Sequence, residues 1–248
     1  MDSMYSRDDE LAVITPRLSE IPPQLPSLSN VSSCVAFGCG FGTLDLAFVR
    51  HCIANVKEFI AVEPDAACAA QLRMKLPMEM TNVKCVVHEE TAQNWKGADH
   101  PVVAVLLIHF IYFLNPGERM AFYHRLMDSV LRSGGFVFVV IRPRHTDGEP
   151  SSHCQVLKRL NSKAQSELLT DRAVRDAMLS VGFELCYEKT YECHLNVEEL
   201  DDAFLSIFPR VCLDGALSLE LVRQTAQEVF GDSKKVRHDS SLGVFRKP

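Results

Sequence analysis

The sequence predicts an α/β protein: a seven-stranded, mostly parallel sheet with helices on both faces and a helical cover. Three observations carry this. Apolar runs of strand length recur at Cys34–Phe37, Phe59–Val62, Val83–Val87, Val102–Ile108 and Phe136–Ile141, and helical patterns fill the intervals between them. The run Val102–Ile108 is unbroken apolar, as a strand covered on both faces must be. The first run ends in a glycine-rich turn and the second in an acid, the arrangement of a Rossmann-like mononucleotide-binding βαβ unit.

Residues 1–30 are polar and then proline-rich, with Pro16, Pro22, Pro23 and Pro26. A short helix fits Asp8–Leu18, and the prolines after it read as an extended connector. The segment is either a frayed terminus or a lid over a ligand, with Tyr5 as its aromatic contact. From Cys34 the order is strand, Gly38-Cys39-Gly40-Phe41-Gly42 turn, and a helix carried by Leu44, Leu46, Ala47 and Val49. Gly38, Gly40 and Gly42 alternate, so the backbone can turn sharply and a ligand can approach it closely, with N–H groups of the helix start aimed above the turn. Asp45 falls in the first helical turn, where the helix dipole accounts for an acid.

Phe59–Val62 is followed by Glu63-Pro64-Asp65, and Glu63 lies 21 residues beyond Gly42 (63 − 42). That is where an acid accepts hydrogen bonds from ribose hydroxyls. Asp65 caps a helix expected over Asp65–Lys75, with Pro77 past its end. His88–Ala92 is the loop at the tip of the third strand. A helix is expected over Glu118–Leu131, stopped by Ser133-Gly134-Gly135 ahead of the fifth strand. Further on come helices at His153–Glu167 and Asp171–Val181, a sixth strand at Phe183–Tyr191, helices at Val197–Phe208 and Leu217–Phe230, and a last strand near Ser240–Phe245. Residues 31–248 therefore read as one domain, with a helical insertion at about 193–235 that is either a substrate cover or extra surface packing.

A 248-residue chain that is 47% hydrophobic can bury a sizeable core. With no run long enough to span a bilayer and an acidic start at Met1–Glu10, neither a membrane nor a secretory destination is expected. Nine cysteines without a Cys-x-x-Cys pair read as reduced thiols of a cytoplasmic protein rather than a zinc site. A net charge of −6 argues against nucleic acid as partner, the basic cluster Arg142, Arg144 and His145 being answered by Asp147 and Glu149. A small neutral or cationic substrate suits such a chain, and a monomer is expected.

The glycine spacing is Gly-x-Gly-x-Gly, and Thr43 stands where a dinucleotide fingerprint needs its third glycine; no Gly-Lys-Ser/Thr follows for a phosphate loop. This motif, together with Val62-Glu63-Pro64-Asp65-Ala66, Asn82–Thr91 and Ile108–Leu114, resembles class I S-adenosylmethionine-dependent methyltransferases, and within them the histamine N-methyltransferases. The resemblance covers residues 34–142 well and the remainder loosely. It implies S-adenosyl-L-methionine as cofactor and methyl transfer to a nitrogen of a small amine or imidazole.

It further implies cofactor contacts at Gly38, Cys39, Gly40, Gly42, Glu63, Pro64, Cys68, Glu90, Thr91, Ala92 and the Ile108 backbone. Tyr5, His109, Tyr112 and Phe113 would line the acceptor pocket, with His109 and Tyr112 as catalytic candidates. His109 sits at a strand tip, where α/β sheets hold ligands, and an ordinary imidazole takes up protons near neutrality. Phe110, Tyr112 and Phe113 offer either an aromatic wall beside a cationic sulfonium or plain packing. The chain departs from that family at His109 and Phe113, at Cys68 and Ala92 (glutamine and serine in the family), and in having Trp95 as its one tryptophan. Two other readings stay open: a catalytically silent cofactor-binding relative and an NAD(P)-dependent oxidoreductase.

Overall fold

The sheet has seven strands in the order β3-β2-β1-β4-β5-β7-β6: β1 Ser33–Phe37, β2 Glu58–Val62, β3 Lys84–His88, β4 Val102–Ile108, β5 Leu131–Ile141, β6 Glu184–Asn196 and β7 Lys235–Arg246. It is seen in a computed structural model that describes residues 8–142, 152–160, 169–206 and 217–248. The strand pairs β1–β2, β1–β4, β2–β3 and β4–β5 all run parallel. Every residue of β1 and of β4 is buried, as their unbroken apolar runs require.

Eight helices accompany the strands among the described residues: α1 Glu10–Leu18, α2 Thr43–Cys52, α3 Ala66–Glu79, α4 Pro116–Arg125, α5 Ser152–Leu160, α6 Asp171–Val181, α7 Asp202–Leu205 and α8 Leu219–Phe230. Register decides what reaches the carboxyl edge of the sheet. Phe37 pairs with Val62, Val62 with His88, and Ile108 with Val140. The glycine turn, Glu63, the loop after His88 and His109 therefore emerge at one edge, where α/β sheets bind ligands. Beneath them Phe37 meets Trp95 edge-on at 5.2 Å and Phe122 at 5.1 Å between ring centroids.

Several boundaries differ from the sequence expectation, each for a local reason. The third helix runs on to Glu79 with Pro77 inside it; the missing N–H falls in its last turn, and Met80 N–H still reaches Leu76 O at 2.9 Å. The helix expected over Glu118–Leu131 starts earlier, because Asn115 and Glu118 close a capping box. It gives way to a π-turn over Leu126–Val130. Ser133-Gly134-Gly135 is not a stop before β5 but a bulge within it. From the pair Val102↔Leu131 to the pair Ala104↔Phe136, β5 advances five residues (136 − 131) and β4 two (104 − 102). Gly134 takes a φ of 75° there, and Lys247 Nζ donates to Met127 O and Leu131 O beside the bulge.

The sixth and seventh strands are longer than the patterns suggested, extending to Asn196 and starting at Lys235. Val197 N–H to Lys234 O, 2.9 Å, carries the link beyond their ends. The helix expected from Val197 begins only at Asp202, where Asp201 caps it by accepting from Phe204 N–H. Residues 207–216, all of the expected helix beyond Leu160 (residues 161–167), and the charged stretch holding Arg144, His145, Asp147 and Glu149 lie outside the described residues.

The chain divides into two compact units. One comprises residues 15–141, 174–189 and 242–248 and holds β1 to β5. The other comprises 1–14, 142–173 and 190–241. Its apolar core joins Leu195, Phe204, Val222, Phe230 and Val236 with Val156 of α5. It also holds a buried polar network. Arg142 donates to Asp8, His238 Nε2 bonds Asp8 Oδ1 at 2.9 Å, Ser240 donates to Glu10, and the Arg142 guanidinium lies 3.8 Å from Glu10. Burial alone would push the Asp8 carboxyl up; Arg142 and the hydrogen bond from His238 outweigh it and hold the group below its ordinary range.

Candidate functional site

The turn between β1 and α2 is built on three left-handed residues: Gly38, Gly40 and Gly42 have φ of 60°, 53° and 69°. The three are not equivalent. A Cβ at Gly38 would lie 2.7 Å from the Phe110 ring, and one at Gly42 2.9 Å from a Leu72 methyl. A Cβ at Gly40 would meet nothing within 4 Å. Two of the glycines thus let protein pack against the turn, and the middle one faces open space.

Glu63 stands across from that opening. It is 6% exposed, and both carboxyl oxygens are engaged: Oε2 accepts the Gly40 N–H at 2.8 Å and Oε1 the Asp65 N–H at 2.9 Å. Gly38 N–H donates to Val62 O at 2.8 Å and Glu63 N–H to His88 O at 3.0 Å, so the tips of β1, β2 and β3 are laced together. A carboxylate oxygen has two lone-pair sites, and each oxygen here uses one on the backbone. The second on each is left for hydroxyl donors. Lys75 Nζ donates to Phe41 O at 3.1 Å and steadies the turn from α3.

The remaining expected cofactor residues lie in the turn itself, on the approach to α3 and in its first turn, in the loop after β3 and at the end of β4. Cys39 is buried, and burial pushes its thiol well above the ordinary range. Pro64 is exposed at the start of the α3 approach, and Cys68 N–H donates to the cap Asp65. In the loop after β3, Glu90 lies 3.4 Å from His88 and Thr91 Oγ accepts the Asn94 N–H. Ala92 is buried, its carbonyl taken by Arg125 at 2.7 Å. Ile108, last residue of β4, is buried.

His109 carries the most unusual backbone in this region. Its φ is 52°, the only positive value among described non-glycine residues, while its N–H still bonds Val140 O at 2.9 Å. Strain of this kind persists only where the surroundings hold it, and it clusters at functional positions. The His109 ring stacks on Tyr112, centroids 6.1 Å apart and planes 12° from parallel. The aromatic trio separates: Phe110 is buried against Gly38, Phe37 and Phe122, whereas Tyr112 is half-buried and Phe113 exposed. Phe110 is therefore a packing residue. Tyr5 lies outside the described residues.

Two features had little or no signal in the sequence. Histidine tolerates a left-handed backbone better than most residues, but nothing around His109 in the sequence marks this one as left-handed. Asp45 was expected to rest in the field of the helix start, but it is buried among Leu44, Leu46 and Ala47, and desolvation pushes its carboxyl up to about 7. The clue lay in its neighbours, which are apolar on both sides. Among the described residues no group of three His, Cys, Asp or Glu side chains is placed to hold a metal, and no helix is long and apolar enough to cross a membrane.

No known family's sequence profile matches the chain, and no characterised protein matches it by sequence. Solved structures do match in fold. A Bacillus halodurans protein described as a "putative methyltransferase" aligns at a TM-score of 0.65 and 15% identity, over 94% of this chain and 98% of that one. The N-methyltransferase NodS from Bradyrhizobium japonicum, solved with S-adenosylhomocysteine, aligns at 0.52 and 11%, over 92% and 86%. The [4+2]-cyclase SpnF aligns at 0.55 and 13%, over 94% and 80%. At such identities the likeness is one of fold: this chain has the sheet and helix arrangement of these proteins.

Proposed function

We propose that the chain is an S-adenosylmethionine-dependent methyltransferase acting on a small molecule, with an amine or imidazole nitrogen as acceptor. The observation that carries the reading is the pairing of Glu63 with Gly40: a buried carboxylate held by the turn beside a Cβ-free position that opens on space. A ribose offers hydroxyl donors to such a carboxylate, and a nucleoside needs the close backbone approach that Gly40 permits. The crevice fits that cofactor on this ground. The NodS structure, which holds S-adenosylhomocysteine on the same fold, supports the choice.

In this reading Glu63 takes the ribose hydroxyls, and Gly38, Cys39, Gly40 and Gly42 lie along the amino-acid portion. Pro64 and Cys68 stand beside the ribose, Glu90, Thr91 and Ala92 beside the base, and the Ile108 backbone faces the cofactor. When bound, the cofactor supplies an activated methyl group on a sulfonium. The chain's own task is to orient a nucleophile toward that group and to exclude water. His109 and Tyr112, stacked at the tip of β4, are assigned to the acceptor, with Phe113 beside them. An amine must present a free lone pair, and His109 is the group that takes its proton.

A second reading is kept on a specific observation: the cyclase SpnF shares the fold, so the fold does not dictate methyl transfer. A titration with S-adenosylhomocysteine and with NAD(P)H tests the cofactor assignment. Tight binding of the first and none of the second is expected; the reverse would replace it with an oxidoreductase. Labelled S-adenosylmethionine with a panel of small amines, histamine included, then tests the acceptor. Binding without transfer to any of them would favour a silent relative or another chemistry.

A further inference from the structure

Asp45 has no task in the reading above, yet it is buried in the first turn of α2, directly after the glycine turn. It is the third residue of α2, 3% exposed, and its Oδ1 has no hydrogen-bond partner among the described residues. A buried acceptor left unpaired is a standing cost, and few survive without a purpose. The ionisable groups coupled to it by charge are Cys34 on β1, Cys39 in the glycine turn, Glu63 after β2 and Lys75 on α3. Burial holds both thiols well above their ordinary range, so they bring no charge. Burial opposes ionisation of Asp45 most and Glu63 adds to it, while the residue's own backbone N–H and then Lys75, the one cation among them, favour it. The carboxyl is thus balanced near neutrality, where an added charge on a ligand decides its state.

We propose that Asp45, buried beside the glycine turn with an unpartnered oxygen, is the charge-sensing residue of the crevice and sets its preference for the cationic sulfonium cofactor over the neutral thioether left after methyl loss. The proposal rests on the S-adenosylmethionine reading. When a sulfonium ligand binds, the Asp45 proton leaves to solvent and the carboxylate provides a counter-charge. When the sulfur becomes a thioether, the proton returns and that attraction is gone. Asp45 is a positioning residue in this sense, acting through charge without touching the reacting atoms.

The test is the ratio of affinities of the full chain for S-adenosylmethionine and S-adenosylhomocysteine, measured by calorimetry from pH 6 to pH 8.5. The two ligands share their carboxylate and adenosine groups; the sulfonium lowers the α-ammonium of the first, which weakens its binding above neutrality and so works against the rise expected here. The preference for the sulfonium should rise by about fivefold or more across the range and level off above it. Asp45→Asn should show no such rise. Lys75→Met, which removes the cation that helps Asp45 ionise, should move the rise to higher pH and covers the case of an Asn variant that fails to fold. A carboxylic-acid infrared band lost on adding S-adenosylmethionine, and missing from Asp45→Asn, reads the same proton without turnover. A flat ratio in the unmodified chain, or a rise that survives in Asp45→Asn, overturns the proposal and leaves the cofactor reading standing. Binding of neither ligand overturns both.

Discussion

Glu63 Oε2 accepts the Gly40 N–H at 2.8 Å, so the acid that follows β2 is held in place by the same turn whose middle glycine faces open space. One side chain thereby shapes the turn and offers acceptors to what lies above it. Replacing Glu63 by Ala removes both roles, leaving the Gly40 and Asp65 N–H groups without their acceptor. Cofactor affinity should fall by about 1–3 kcal/mol, with a smaller loss of stability because water can reach the vacated N–H groups. Calorimetry of S-adenosylhomocysteine binding beside a thermal melt checks both; unchanged affinity takes Glu63 out of the site.

The three glycines should answer differently to a single methyl. Gly38→Ala drives a Cβ to 2.7 Å from the buried Phe110 ring, so it should cost about 1–3 kcal/mol of stability by overpacking, beyond the strain of a left-handed alanine. Gly40→Ala shares the strain but meets no neighbour within 4 Å. Its methyl points into open space, which the proposed function gives to the cofactor, so the fold should hold better than in Gly38→Ala while affinity drops further. Equal losses of affinity at the two positions would mean that Gly40 does not face the ligand.

How far the sequence reached is plain in these same residues. Gly40, Glu63 and the cap Asp65 were legible because backbone geometry demands particular residue types at fixed spacing. β1, β2, β4 and the later part of β5 were legible because burial on both faces leaves unbroken apolar runs, and the edge strand β3 by its short Cys85-Val86-Val87 run. What stayed hidden depends on tertiary contact. Phe110 and Phe113 look alike in sequence, and only packing makes one buried and the other exposed. The network of Asp8, Glu10, Arg142, His238 and Ser240 joins residues up to 230 positions apart, and no local pattern announces it. The Ser133-Gly134-Gly135 bulge reads as a stop because a bulge and a turn use the same residues.

His109 and Tyr112 should separate chemistry from binding. With the ring stacked on Tyr112 at the tip of β4, His109→Ala is expected to lower kcat on an amine acceptor by about 10²-fold or more while S-adenosylhomocysteine affinity stays within about twofold. His109→Asn tolerates the left-handed backbone as well as histidine does and should match Ala in kcat, which removes strain as an explanation. Turnover untouched in both variants would make His109 a structural residue.

Buried Asp8 and Asp45 should tilt stability in opposite directions with pH, and the signs can be worked out group by group. The Asp8 carboxyl is held below its ordinary value near 3.8 by Arg142 and His238, so its contribution is present above about pH 4 and lost as pH falls below it. Asp45 is the reverse: its value rises from about 3.8 to about 7 in the folded chain, so stability is greatest below about pH 4 and declines as pH climbs to 7. Three pH decades at about 1.4 kcal/mol each set an upper bound of about 4 kcal/mol on that decline. Asp45→Asn should therefore be more stable than the parent at pH 8 and lose the slope between pH 4 and pH 7. Asp8→Asn should flatten the acid limb alone. Arg142→Met leaves Asp8 and Glu10 without their cation and should cost about 3–5 kcal/mol at neutral pH, less once acid neutralises the carboxylates. Denaturant melts of the three variants from pH 3 to pH 8 check the pattern, and an Asp45→Asn curve parallel to the parent would mean that the carboxyl titrates no differently in the folded chain.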